Sequence, residues 1–581
     1  MCGILAVFNS AATAGALRSN TLQRSKLLRH RGPDCNGIVL IKHSVINNND
    51  GRNNNNNNNN HAIAHERLAI VDAASGIQPF ESAGLVLSVN GEIYNHEALR
   101  DALHQPFAFS SYSDCEVLLP LYLECRADGI SGMARFLNQL AGMFAFVLYD
   151  SETDTYVVAR DHMGIIPLYM GTGALDGSTW FASEMKALVH DCVDIRVFPP
   201  GHVLVCPRGG GASPPAMLDW YTPAWKVVPC VTPTVPVNLL RIRSLLQASV
   251  WQCMQSTEPW GVLLSGGLDS SLVASIASNL GADRVNTFSI GMRGSPDVVA
   301  AESVAAYFGT RHRSFTFTVQ QGLDVLRDVI YHLETYDVTS IRASVPMFLM
   351  SRRIKALGIK MVLSGEGADE IFGGYLYFHK APSREAFHAE TVDKLCSLHL
   401  YDCNRANKAM AAWGVETRVP FLDRAFVDYC MSFDPVNKMI NKSFGFMEKF
   451  ALRSAFKDTL PPAVLWRQKE QFSDGVGYGW IDGLKAHAEQ EVSDTQLMAA
   501  ATRFPLNTPL TKEAYHYRDL FEAVFPVGQG CETTVPFGFS IACSTARAAD
   551  WDATFRACND PSGRVVAGVH ESSLDVQLVS L

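Results

Sequence analysis

A cysteine at position 2 is the first residue whose place in the chain could do chemistry. Removal of Met1 would leave a thiol and a free α-amine on one residue, and an α-amine that titrates near neutrality can relay the thiol proton. Such a cysteine needs no histidine partner to act as a nucleophile. Position alone favours a plainer reading, an incidental terminal residue, so its companions decide. They are Arg29-His30-Arg31-Gly32-Pro33-Asp34, His65-Glu66-Arg67-Leu68-Ala69-Ile70-Val71-Asp72, Asn90-Gly91-Glu92-Ile93-Tyr94-Asn95-His96 and Ser113-Asp114-Cys115-Glu116. Taken singly, each polar residue is a solvated group or a turn former, and Asn90-Gly91 alone reads as a hairpin turn.

A second group of residues suits phosphate. Leu263-Leu264-Ser265-Gly266-Gly267-Leu268-Asp269-Ser270-Ser271 runs from a buried strand through a Gly-Gly turn into a helical segment, Leu272 to Leu280. Glycines let backbone N–H groups approach an anion, serine hydroxyls add donors, and a helix N-terminus supplies the positive end of a dipole. No lysine follows in the Walker spacing, so this is not a Walker loop. Ser364-Gly365-Glu366-Gly367-Ala368-Asp369-Glu370 repeats the arrangement after another strand-like run. In a doubly wound sheet both loops would face one crevice at the carboxyl ends of the strands. Asp269 and Asp369 are then candidates for Mg²⁺, which prefers one or two carboxylates plus phosphate oxygens and water. The plainer readings are a Gly-rich turn and two helix N-caps.

The elements that must position these groups change character along the chain. The first two hundred or so residues carry short apolar runs, Leu85 to Val89 and Met143 to Leu148 among them, separated by Gly, Asn and Asp turns, and read as strands. An Asn-rich tract from Asn47 through Asn60 has almost no apolar surface to repay ordering and reads as a mobile surface loop. A Gly/Pro-rich stretch, Pro207 to Pro215, followed by Pro223, Pro229, Pro233 and Pro236, marks a domain connection. Beyond it, strand-like runs (Gly261 to Leu264, Lys360 to Leu363) alternate with amphipathic helical segments, the pattern of a helix-covered parallel sheet. Past about Phe525 the chain is irregular and either wraps the domain or lacks order.

Length and composition bound the class. At 581 residues the chain exceeds one core, since domains run to roughly 100 to 200 residues. Hydrophobic and charged fractions of 47% and 18% are those of an ordinary globular protein, and a net charge of -9 without long basic runs leaves no footprint for nucleic acid or anionic membrane. The 14 cysteines are scattered without a C-x-x-C pair, which points to reduced thiols. No basic leader opens the chain, and no segment approaches the roughly 18 apolar residues of a membrane span, so the cytosol is the expected compartment.

The set of motifs around Cys2, continued by Arg160-Asp161, Pro167-Leu168-Tyr169, Ser183-Glu184 and Pro199-Pro200-Gly201-His202, resembles the glutaminase domain of class II amidotransferases, which are N-terminal-nucleophile hydrolases. The resemblance implies Cys2 as nucleophile and Arg67 on the glutamine carboxylate as a bidentate cation. It implies Asp114 on the α-ammonium and an oxyanion hole from the Asn90 side chain and the Gly91 backbone N–H. Leu68, Ala69, Ile70, Val71 and Glu92 would complete the glutamine pocket. The Ser-Gly-Gly-x-Asp-Ser loop resembles the ATP pyrophosphatases. With Leu333 to Asp337, Ile341 to Ser344, Gly414 to Asp423, Trp466 to Gly475 and Ser540 to Ser544, the second half resembles the glutamine-using asparagine synthetases.

That likeness implies an αββα N-terminal-nucleophile sandwich over residues 1–205, a linker at 206–236, a doubly wound parallel-sheet ATP-binding domain at 237–525 and a tail at 526–581. ATP would meet Leu263, Leu264, Ser265, Gly266, Gly267, Asp269, Ser270, Ile290, Ser364 and Gly365. Glu366 would assist adenylate formation and ammonia attack, while Lys469 and Arg342 would bind phosphate or stabilise pyrophosphate release; Lys469 alone would be read as a surface cation. The implied reaction releases ammonia from glutamine and delivers it through a sheltered passage to a β-aspartyl-adenylate, giving asparagine, AMP and pyrophosphate. A homodimer is the implied assembly. Two other readings stand beside it, an amidotransferase or β-lactam-forming synthetase acting on another carboxylate, and a silent homologue serving as a binding module. Cys2 argues against the lactam makers, and the intact polar set argues against silence.

Overall fold

The computed structural model describes residues 1–41, 60–207, 215–227, 231–281, 284–441, 445–538, 540, 543–555 and 566. Apart from Asn60, the Asn-rich tract from Asn47 lies outside the described residues, as do 208–214 of the Gly/Pro-rich stretch, Pro229, and Ile541-Ala542. Two compact units are present. The first comprises Met1–Tyr221, Ala411–Gly414 and Glu522–Val535, and the second Thr222–Met410, Val415–Phe521 and Pro536–Leu581.

In the first unit the strands are β1 (Gly3–Ser10), β2 (Cys35–Ile41), β3 (Asn60–Arg67), β4 (Phe80–Ser82), β5 (Leu85–Ile93), β6 (Gly142–Asp150), β7 (Thr155–Arg160), β8 (Tyr169–Gly173), β9 (Thr179–Ala182), β10 (Cys192–Val197), β11 (His202–Pro207) and β12 (Ala216–Asp219). They form two antiparallel six-stranded sheets, ordered β10-β8-β9-β1-β3-β2 and β12-β11-β7-β6-β5-β4. The sheets pack face to face, and the Phe8 ring of one stacks on Tyr156 of the other at 4.1 Å between centroids. Helix α1 (Ala14–Ser25), capped by the Thr13 hydroxyl, covers the outer face of the first sheet. Helices α2 (Leu118–Cys125) and α3 (Gly129–Asn138) cover the second, with Tyr122 bonded to Asp150 and Phe136 against Phe146. This is the αββα sandwich. β1 is covered on both faces, so Ile4 to Phe8 read as a continuous apolar run rather than an alternating one. Within the Gly/Pro-rich region, Ala216–Asp219 pair with β11, from His202 opposite Asp219 to Val205 opposite Ala216.

The second unit is built on β13 (Trp260–Leu263), β14 (Asn286–Gly291), β15 (Arg311–Thr316), β16 (Met361–Leu363) and β17 (Glu416–Arg418), all parallel and ordered β15-β14-β13-β16-β17. In chain order this is 3-2-1-4-5, the doubly wound arrangement, whose order reverses between β13 and β16. Helices α4 (Leu268–Asn279), α5 (Pro296–Phe308) and α6 (Val338–Ala356) are among the crossovers. α4 begins four residues before the apolar periodicity suggested, because Gly267 caps it and the Gly-Gly turn leads straight into its first turn. The irregular tail, left open by sequence, packs in its described part. Ala548, Phe555 and Val566 are buried with Tyr375, Tyr377 and Phe387 in one apolar cluster.

Candidate active sites

Cys2 precedes β1, an interior strand of its sheet between β9 and β3, and is buried beside the loop that leaves β3. The Leu68 backbone N–H points at Sγ from 3.4 Å. The Cys2 backbone is fixed from two sides: its N–H donates to Asn90 Oδ1 at 2.7 Å, and its carbonyl accepts from Arg31 Nε at 2.8 Å. Arg31 is itself fully buried and paired with Glu184 at 2.6 Å; His30 and Lys186 reach the same carboxylate. Burial opposes the charge on Glu184, but Lys186, His30 and Arg31 hold its carboxyl well below the usual range. These partners of Cys2 are the residues that the motif Arg29 to Asp34 and the pair Ser183-Glu184 contribute.

Asn90 uses its oxygen on Cys2, which fixes its amide. Its Nδ2 is a buried donor with no hydrogen-bond partner, an arrangement costly in a folded chain unless a ligand completes it. Next to it Gly91 adopts φ +138, and a Cβ there would lie 2.0 Å from the Met143 carbonyl oxygen. The pair is therefore no hairpin turn; it lies inside β5, opposite Ala145 and Phe144 of β6.

Arg67 ends β3 with its guanidinium donating to the carbonyls of Asp72 at 2.5 Å and of Val71 and Ala73 at 3.4 Å. Gly76 leaves the room, since a Cβ there would stand 2.7 Å from Nη2. Asp114 accepts the Ile93 N–H at 2.6 Å, and Glu92, one residue earlier on β5, is also buried. Leu68, Ala69 and Ile70 are buried in the loop after Arg67 and Val71 is half-buried, with Ala69 N–H on Asp34 at 2.9 Å. His65, buried behind this loop, is driven down to about 3 by burial and by the Arg67 charge, so it stays neutral. We expect Gly91→Ala to lower glutamine hydrolysis at least about 10²-fold, because the clash and the left-hand φ both displace the backbone N–H expected to donate to the oxyanion. A glutaminase assay checks it.

In the second unit both glycine loops open on one cavity of about 1250 Å³. Leu263, Leu264, Ser265, Gly267, Asp269 and Ser270 line it from the end of β13, and Ile290 from β14. Ser364, Gly365, Glu366 and Asp369 line it from the end of β16, with Arg342 and Lys469. The loops touch at the switch point: a Cβ on Gly365 would come 3.0 Å from the Ser270 backbone nitrogen. Ser265 and Ser270 hydroxyls bond each other at 3.1 Å and tie the loop. Gly266 differs from the rest of the expected set. It is not among the residues that line the cavity, and at φ +74 a Cβ there would meet Ala301 N of α5 at 2.5 Å.

Asp269 and Asp369 are not N-caps; Gly267 and Gly367 hold those positions. Their carboxylates are joined by Lys449, 2.6 Å from Asp269 Oδ2 and 2.7 Å from Asp369 Oδ1, and Lys469 reaches Asp369 Oδ2 at 2.7 Å. Burial works against the Asp369 charge, yet Lys449 and Lys469 bring its pKa down to about 2. Lys469 is thus no free surface cation. Its backbone N–H donates to Glu448 Oε1 at 2.9 Å, and Arg453 bonds Glu448 and the Arg467 carbonyl, each at 3.0 Å, which clamps the lysine's loop.

Glu366 pairs with Arg405 at 2.8 Å, and Arg405 also holds Asp402 at 2.7 Å. Burial pushes the Glu366 carboxyl up, and Arg405 only partly offsets it. Arg342 lies in the cavity wall with its fork already engaged: Nε and Nη2 donate to Glu513 at 2.8 and 2.6 Å. A phosphate would have to share or displace that pairing. We expect Glu513→Ala to destabilise the protein by about 3 to 5 kcal/mol, because it leaves a buried guanidinium without its carboxylate; the denaturant midpoint reads it.

Lys449, Asp402, Arg405, Glu448 and Arg453 were not found by sequence reasoning. None lies in a glycine loop, and Asp402 with Arg405 reads as an ordinary i, i+3 surface pair. Only the spacing Glu448-Lys449 to Arg453, a charged cluster among the apolar residues Phe446 to Leu452, gave a signal.

Two family models match the chain, a glutamine amidotransferase domain over residues 1–205 and asparagine synthase over residues 241–389 and 380–535. The class is an amidotransferase domain joined to a synthase domain. The chain is 52% identical over 590 residues to glutamine-hydrolyzing asparagine synthetase 3 of Arabidopsis thaliana, covering 99% of this chain and 96% of that one. It is 51% identical over 588 residues to glutamine-hydrolyzing asparagine synthetase B of Escherichia coli (strain K12), covering 99% and 100%. It belongs to the glutamine-hydrolysing asparagine synthetase family.

Proposed function

We propose that the chain makes asparagine from aspartate and ATP with ammonia released from glutamine. One observation carries the reading: the loops of β13 and β16 meet over one cavity, with Glu366 beside the cluster of Asp269, Asp369 and Lys469. A phosphate-binding loop and a carboxylate poised over it suit adenylation followed by proton removal.

In the first half-reaction the Cys2 sulfur attacks the amide carbon of glutamine. Arg67 holds the substrate carboxylate and Asp114 its ammonium, while Asn90 Nδ2 and the Gly91 N–H receive the oxyanion. The tetrahedral species collapses to a thioester and releases ammonia; water then yields glutamate and restores the thiol. In the second, an oxygen of the aspartate side-chain carboxylate attacks the α-phosphorus of ATP and pyrophosphate leaves. Ammonia attacks the resulting acyl-adenylate, Glu366 takes the surplus proton, and AMP departs. Lys469 and Arg342 carry positive charge beside the departing pyrophosphate.

Mg²⁺ fits the residues present. Asp269 Oδ1 is buried without a hydrogen-bond partner and Asp369 lies across Lys449 from it, while no group of three or more His, Cys, Asp or Glu able to hold a metal ion occurs among the described residues. Two carboxylates that need phosphate oxygens to complete the shell are what this ion takes. When bound it neutralises phosphate charge; Asp269 and Asp369 would hold it. A cytosolic homodimer belongs to the same reading. No helix among the described residues is long and apolar enough to cross a membrane.

The carboxylate specificity is tested by ATP–pyrophosphate exchange. Exchange should require aspartate; exchange with glutamate or another dicarboxylate in its place, and none with aspartate, would overturn the assignment.

A further inference from the structure

Lys449 has no part in the chemistry above, yet the chain goes to some length to place it. Its side chain is 1% exposed and its ammonium bridges the two carboxylates assigned to the divalent ion. Its backbone sits in the left-handed region at φ 60, ψ 28, a conformation disfavoured for a lysine. Gly374 leaves the space for the bridge, because a Cβ there would come 2.1 Å from both Asp369 Oδ1 and Lys449 Cε. A strained backbone, a glycine cradle and a buried ammonium converge on one point between Asp269 and Asp369.

Two carboxylates facing one another in a half-buried site repel unless a cation lies between them. With Lys449 and Lys469 in place, the two negative charges are met by two positive ones. A divalent ion approaching this cluster finds no net attraction and meets an ammonium at the position it needs. A nucleotide changes that balance, since its polyphosphate brings several negative charges that attract the ammonium away from the carboxylates. We propose that Lys449 is a built-in cation surrogate that keeps the Asp269–Asp369 ion site closed until a nucleotide polyphosphate is present. The proposal rests on the reading of this cavity as the ATP and ion site. It makes ion and nucleotide binding mutually dependent, and it leaves the site occupied by a charge of the right sign between turnovers.

The test uses the full chain without nucleotide and Mn²⁺ as the probe, with free ion followed by electron paramagnetic resonance. Lys449→Met should bind Mn²⁺ at least about tenfold more tightly than the unaltered chain, and adding Asp269→Asn to it should remove the gain. In the unaltered chain Asp269→Asn should change nothing, because the site is closed. If Lys449→Met does not fold by circular dichroism, Lys449→Gln, which retains a hydrogen-bond donor, should show the same gain. A folded Lys449 variant with no gain overturns the proposal, as does loss of Mn²⁺ binding when Asp269→Asn is made in the unaltered chain. Neither measurement depends on turnover. A chain that makes asparagine but shows no gain loses only the surrogate, whereas a gain in a chain that makes no asparagine removes the functional reading and leaves the closed ion site.

Discussion

Glu366→Gln should lose asparagine synthesis from glutamine and from added ammonium alike, by about 10² to 10⁴ in rate, while hydrolysing glutamine at the normal rate. The carboxylate lies on the Ser364 to Gly367 loop at the switch point, where Gly365 packs against Ser270 and brings the loop against the one that follows β13. Burial raises its pKa despite Arg405, which makes it a better proton acceptor than an exposed carboxylate near neutral pH. Taking the proton from attacking ammonia is typically worth about 10² to 10⁴ in rate, and the amide cannot do it. The variant should fold, because Arg405 keeps its pairing with Asp402 and Gln preserves the shape. ATP–pyrophosphate exchange separates two roles. Exchange retained places Glu366 at ammonia attack, and exchange lost places it at adenylation. Wild-type rates of asparagine synthesis would exclude both.

Cys2→Ala should show the converse. Glutamine-dependent synthesis should fall by about 10⁴-fold or more, as expected when a nucleophile is removed, and synthesis from ammonium should stay within a small factor. The fixed geometry around Cys2 supports this separation. Its backbone contacts, Asn90 and Arg31, do not involve the thiol, so removing sulfur leaves the scaffold intact. Retained use of glutamine would show that another group attacks the amide. Loss of both activities would point to a folding defect instead.

Much of this arrangement is legible in the sequence because it rests on local rules. The two glycine loops announce themselves by a buried strand, a turn and a helix, and the structure joins them at the point where strand order reverses. Asn90-Gly91 shows where local rules mislead. The dipeptide looks like a hairpin turn, but β5 continues through it to Ile93 because its ladder with β6 overrides the local preference. What stayed hidden was the pairing. Lys449 and Asp269 are 180 residues apart in the chain, and Glu513 is 171 from Arg342. Charges on distant segments meet only after the fold closes, and no spacing in the sequence encodes them. The packing behind Gly266 is hidden for a related reason. A glycine in a phosphate-loop pattern can serve the ligand or the packing behind it, and only the fold shows the approach of Ala300 and Ala301.

One chain couples glutamine hydrolysis to aspartate amidation. The direct measurement is to supply glutamine isotopically labelled at its amide nitrogen, with aspartate and ATP, and to follow the products by mass spectrometry and phosphorus magnetic resonance. Label should appear in the side-chain amide of asparagine, with AMP and pyrophosphate formed in equal amounts to it. Unlabelled asparagine, another amidated acid, or ADP and phosphate in place of AMP and pyrophosphate would contradict it.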